Sequence, residues 1–281
     1  MTNYFSKETF VDVNKFFELL IIIVPISIFI GNFALNFNIL LIDFLFLYFV
    51  FVKKIFIKKN ILLYGLFLFI VSNINISLSA NILLSLKGAL GLLKHLIFLL
   101  AFIYFLENET NRKIFFKSTF FIISFVAIDV AIQFYFGADI FGNEYSTDHG
   151  KRLSGPFGDE FVVGAYMSKF FFIGLIYLIQ KKMNKYYYGY YIILLLIIIF
   201  LTQERSAFFI SLISSVFFIL FFREKKLKKV IFLIILTIFL SLFLKFDNYS
   251  YDKYFKITSM QLGLSKKLHT ENTKDKDLKD T

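Results

Sequence analysis

Long apolar runs alternate along the chain with short breaks in which charged residues gather. A hydrocarbon core of roughly 30 Å is crossed by about 20 helical residues. Runs of that order occur at 16–31, 33–52, 61–77, 87–106, 114–136, 160–180, 186–201, 206–222 and 230–246. None alternates in polarity as a barrel strand would, and a lone segment in lipid can satisfy its backbone polar groups only as a helix. The pattern predicts an all-α polytopic membrane protein of about nine transmembrane helices, with a helical domain over 1–246. A polar tail follows over 247–281, and its last dozen residues, rich in Lys and Asp, read as disordered.

The breaks are not equal in charge. Sixteen basic residues fall in the amino-terminal segment and in every second break: Lys7 and Lys15, then clusters around Lys53, Arg112, Lys181 and Arg223. The opposite breaks offer Lys151, Arg152 and Arg205, with Lys87 at the edge of the fourth run. Because basic loops stay in the cytoplasm, the amino terminus is expected there and the carboxyl terminus outside. That assignment makes 137–159 a long outer loop and 202–205 a short outer turn. The net charge of +11 is then a signature of topology. It is not spread as a nucleic-acid footprint would be, on one soluble face, and no nucleic-acid partner is expected.

Composition agrees. With 58% hydrophobic residues, 21% aromatic residues and a mean hydropathy of +0.72, the chain carries more apolar surface than a soluble core of this size hides. The first run is followed by no small-residue cleavage pattern, only by another apolar run, so it reads as an uncleaved helix. Cysteine is absent, which excludes disulfides, thiolate metal sites and cysteine nucleophiles. The three histidines, His95, His149 and His269, are scattered, so no metal site and no cofactor are expected. Tryptophan is also absent, leaving tyrosines such as Tyr48, Tyr104 and the Tyr186–Tyr191 cluster as interfacial anchors. No internal repeat is visible.

Several ionisable residues fall inside the runs, among them Asp43, Lys94, His95, Asp129 and Lys169. Facing lipid they would be costly, so they are expected to point inward, to each other or to a cavity.

Two outer segments concentrate charge. In KRLSGPFGDE, Gly155, Pro156 and Gly158 form turns that a continuing helix would not tolerate. Asp159 is placed to cap a helix beginning near Glu160, whose free N–H groups and partial positive charge attract anions, with Arg152 beside it. In TQERSAFF, Glu204 and Arg205 occupy the tight connection between the seventh and eighth runs. Two guanidinium groups and two helix amino termini on one face are what a diphosphate calls for, since guanidinium binds such oxygens in bidentate fashion. Pairing of Glu204 with Arg205, and of Asp159 or Glu160 with Arg152, would neutralise charge at the interface without any ligand. Spacing leaves both accounts open.

The stretch QFYFGADIFGNEYSTDHGKRLSGPFGDEFVVGAYMSK, followed by LTQERSAFF, resembles the O-antigen ligase and O-antigen polymerase family of bacterial envelope proteins. The resemblance runs from about Lys87 to Phe222 and is most specific in the Arg152–Glu160 run. It implies a multi-pass protein of the bacterial inner membrane with a periplasmic active face and a periplasmic carboxyl terminus. The implied activity is metal-independent glycosyl transfer from an undecaprenyl-diphosphate-linked glycan to a lipid A-core or polysaccharide acceptor. Arg152 and Arg205 would stabilise the leaving diphosphate, and Glu160 would act as base or positioning group. Lys94, Gly155, Gly158, Asp159 and Glu204 would contact substrate, with membrane lipids around the whole. Family members usually continue, after the helix that ends here near Phe246, into a large outer loop with a further functional arginine or histidine and then more helices. The usual carboxyl-terminal part is not found in this sequence. Two other readings stay open: a transporter or flippase of lipid-linked sugars, suggested by Asp43, Lys94 and Asp129, and a shortened, non-catalytic family member.

Overall fold

The computed structural model describes residues 7–53, 59–77, 82–145 and 152–221. Eight α-helices account for most of them: α1 (Lys7–Ile30), α2 (Asn32–Lys53), α3 (Lys59–Ser77), α4 (Ile82–Glu107), α5 (Glu109–Phe136), α6 (Val163–Gln180), α7 (Lys185–Leu201) and α8 (Arg205–Phe221). Among the described residues there is no β-strand, and Ala138 and Glu144 form an isolated antiparallel bridge. The expected ninth helix at 230–246 and the tail at 247–281 lie outside the described residues, as do Lys151, His149 and His269.

Among the described residues five helices are long and apolar enough to cross a membrane: Val13–Ile30, Asn32–Val52, Leu83–Glu107, Glu109–Phe136 and Val163–Gln180. Tyr186–Leu201 and Arg205–Phe221 are apolar but shorter. Their outward faces carry bare aromatic rings, with Phe33 85%, Phe136 82% and Phe221 81% exposed, a surface that water would not tolerate and lipid does. An all-α fold with these helices is that of a membrane protein.

The helices run further into the charged breaks than the apolar pattern alone predicts. Asn108 ends α4 and starts α5: its side-chain oxygen accepts the Thr110 N–H at 2.9 Å, so Arg112 and Lys113 lie in the first turn of a helix and not in a loop. Glu109 and Lys113 add an exposed i,i+4 pair at 2.6 Å.

The chain divides into two compact units. The first comprises 1–144, 154–160 and 170–183, and the second 145–153, 161–169 and 184–281. In the first unit α1 packs on α2 and α5, and α4 packs on α2, α3 and α5. Its core is aromatic: Phe17, Phe46, Phe49, Phe105 and Phe115 close around Ile21, Ile42 and Ala101, with the Phe17 and Phe49 rings edge-to-face at 5.3 Å. In the second unit α7 and α8 form a helical hairpin joined by the turn at Thr202–Glu204. Gln203 takes a positive φ of 61° there, and Thr202 donates its hydroxyl back to the Ile199 carbonyl at 2.7 Å.

Candidate functional site

In the second unit, Arg152 precedes α6 and its guanidinium turns onto that segment. Nη2 donates to the Phe161 carbonyl at 3.1 Å, and the guanidinium carbon stands 5.2 Å from the centroid of the Phe161 ring. Nε is buried without a hydrogen-bond partner. Arg205 opens α8.

Glu204 joins these two segments. Its Oε1 accepts the Gly164 N–H at 2.7 Å and its Oε2 accepts the Ala165 N–H at 3.0 Å, so one carboxylate caps the first turn of α6 with both oxygens. The Glu204 carbonyl meanwhile accepts the Phe208 N–H at 3.0 Å in the first turn of α8. Burial pushes the Glu204 carboxyl above its ordinary value; the two backbone donors and the positive charges of Arg152 and Lys169 pull the other way without cancelling it.

The expected cap is thereby corrected. The helix begins at Val163, not near Glu160, and the carboxylate on its amino terminus is Glu204 rather than Asp159. The local reason is Gly158, whose φ of 63° and ψ of −119° no helix accommodates. Asp159 and Glu160 lie exposed beyond it. A side chain at Gly158 would meet nothing within 4 Å, so glycine is required there for backbone conformation and not for space. Gly164 is the opposite case, because a Cβ there would run into Thr202 Oγ1 and come within 3.1 Å of Glu204.

The first unit contains Gly155, Gly158, Asp159, Glu160 and Lys94. Gly155 is fixed by Gln133, a fully buried residue of α5 that uses its whole amide group. Gln133 Oε1 accepts the N–H groups of Ser154 at 3.0 Å and Gly155 at 2.9 Å, while Nε2 donates to the Asn143 carbonyl at 3.0 Å and to Ser154 Oγ at 3.3 Å. One turn earlier, Asp129 Oδ1 accepts the Ile140 N–H at 2.8 Å. Asp139 accepts from both the backbone and the side chain of Asn143, at 2.7 and 2.8 Å. The segment that follows α5 in this unit is therefore built on a polar pedestal.

Lys94 on α4 donates to Asn36 Oδ1 on α2 at 2.5 Å and lies close enough to Asp43 for their charges to attract. Asp43 is buried, with Oδ1 unpartnered. The inward placement expected of Asp43 and Asp129 holds, whereas His95 and Lys169 are exposed. Among the described residues no three His, Cys, Asp or Glu side chains gather as metal ligands.

Three contributors carried no role in the sequence: Gln133, Gly164 and the charge of Lys169 on Glu204. Only Gly164 left a local trace, as part of a Gly-Ala pair at a helix start. Comparison with protein-family models, curated proteins and solved structures finds no match to this chain.

Proposed function

We propose that the protein is an inner-membrane glycosyltransferase of O-antigen ligase or polymerase type, moving a glycan from a polyprenyl-diphosphate carrier to a lipid A-core or polysaccharide hydroxyl. The observation that carries the reading is that Arg152 and Arg205, on segments far apart in sequence, belong to one compact unit and are linked through Glu204. With nine crossings and a cytoplasmic amino terminus, these segments and the 137–159 loop face the periplasm, where such a donor presents its glycan.

In the proposed reaction the acceptor hydroxyl oxygen attacks the anomeric carbon and a new glycosidic C–O bond forms. The bond from that carbon to the diphosphate oxygen breaks, its electron pair leaves with the diphosphate, and the hydroxyl proton passes to a base. Arg152 and Arg205 stabilise the charge gathering on the leaving group, the kind of fixed electrostatic help that contributes most to such steps. Arg152 Nε, buried without a partner, is a donor still to be used. Glu160, exposed and acidic, is the candidate base. Lys94, Gly155, Gly158 and Asp159 are kept as candidate substrate contacts.

A second reading, transport of a lipid-linked sugar, is favoured by the buried carboxylates Asp43 and Asp129, each with one unpartnered oxygen. The test is complementation of a deletion strain. Arg152→Ala and Arg205→Ala should each abolish long-chain surface polysaccharide while the protein still accumulates in the membrane. Unchanged polysaccharide sinks the transferase reading, and lipid-linked sugar movement in proteoliposomes without glycan transfer supports the transporter.

A further inference from the structure

Glu204 is the most firmly held acidic side chain beside the two arginines, and it is held in a way that suits neither proton transfer nor substrate binding. Each of its oxygens already accepts a backbone N–H, at 2.7 and 3.0 Å. Its negative charge would also repel a diphosphate. We infer that Glu204 is a positioning residue: by clamping the first turn of α6 onto the start of α8 it sets the spacing between Arg152 and Arg205. This inference rests on the transferase reading and moves Glu204 from substrate contact to scaffold.

The chain of connections is short and explicit. Arg152 is tied to the Phe161 carbonyl, Phe161 leads directly into α6, and the Gly164 and Ala165 N–H groups grip Glu204, which is peptide-bonded to Arg205. Arg152 therefore moves with α6 and Arg205 with α8, and the Glu204 carboxylate couples the two.

The fit at Gly164 supports the same seat independently. Thr202, locked by its bond to the Ile199 carbonyl at 2.7 Å, leaves no room for even a methyl group on Gly164. The α6 backbone thus lies directly on the α7–α8 turn. Electrostatics give the clamp a second effect, because one carboxylate facing both Arg152 and Lys169 eases their mutual repulsion and still leaves a positive surplus for a diphosphate.

The test has an activity arm and a geometry arm. In reconstituted protein supplied with a labelled polyprenyl-diphosphate oligosaccharide, Glu204→Gln should lower kcat/KM by about tenfold to a hundredfold, as loss of charge-assisted hydrogen bonds implies. In an Arg152→Ala background the same change should add little, since the group being positioned is gone. Gly164→Ala, which wedges the seat without altering charge, should lower kcat/KM in the same direction. Multiplying losses in the double variant would overturn the inference, as would a Glu204→Gln variant that flattens the pH profile of kcat at unchanged KM, the mark of a base. Should Arg152→Ala and Arg205→Ala both keep full transfer, the transferase reading fails instead.

The geometry arm is read without activity. The chain has no cysteine, so spin labels can be attached at the exposed positions Val162 and Ser206 alone. The native clamp predicts one narrow distance distribution, broadened by Glu204→Gln. A distribution equally narrow in the variant overturns the positioning role whatever the enzyme does.

Discussion

Replacing Gln133 with alanine should loosen the carboxyl-terminal end of α5 more than any other single side-chain deletion there. The amide is fully buried and makes four hydrogen bonds, two of them from the N–H groups of Ser154 and Gly155. Both donors are buried, and a buried N–H left without a partner costs about 1–3 kcal/mol, so the pair amounts to about 2–6 kcal/mol. Water entering the vacated space would bring the loss toward the lower figure. An exposed change such as Lys181→Ala should stay within about 0.5 kcal/mol. The assay is thermal unfolding in detergent, paired with limited trypsin digestion at Arg152. Gln133→Ala should lower the midpoint clearly and expose the loop to cutting, and Gln133→Leu, which refills the volume but not the bonds, should do the same. Full stability in the leucine variant would show that packing, not hydrogen bonding, holds the loop, and would refute the reasoning.

Gly164→Ala should cost about 1–3 kcal/mol of stability by the same thermal assay, because the added methyl meets Thr202 Oγ1, itself fixed to the Ile199 carbonyl; a neutral result would mean that α6 does not lie against the turn. The Glu204 carboxyl, raised by burial despite Arg152 and Lys169, binds its proton more tightly in the folded chain than in the unfolded one. Its contribution to stability therefore falls as pH climbs from the ordinary glutamate value through the raised one, opposite in sign to a salt-bridged carboxylate, and the Glu204→Gln variant should lack that slope in pH-dependent melting. The proposed topology predicts that a membrane-impermeant maleimide labels Asp159→Cys in intact cells and Lys182→Cys only after permeabilisation; the reverse pattern would invert the protein.

How much of this was legible beforehand depends on the range of the interactions. The eight described helices fall where apolar runs of bilayer length stand, since that signal is local and repeated along each run. Helix ends were harder to read. Cutting at the first charge placed the start of α5 near Ile114, whereas Asn108 caps the helix and carries it through Arg112 and Lys113. At α6 the error has the opposite sign: Asp159 looked like the cap, but the carboxylate that serves is 40 residues from Gly164 in sequence, a distance no local pattern spans. Arg152 and Arg205 could be singled out because guanidinium groups near helix starts have few roles at a membrane edge. Gln133 could not, because a glutamine in an apolar run reveals nothing until the loop it holds is folded against it.

The account stands on two guanidinium groups gripping one diphosphate. The most direct measurement is equilibrium binding of a labelled polyprenyl-diphosphate oligosaccharide to the purified, reconstituted protein, followed by transfer once a lipid A-core or glycan acceptor is added. The account predicts saturable binding by the native chain, a loss of at least about tenfold in affinity for each of Arg152→Ala and Arg205→Ala, and a transfer rate reduced at least as far, to a measurable residue, in either variant. Binding as tight in both variants as in the native protein would contradict it.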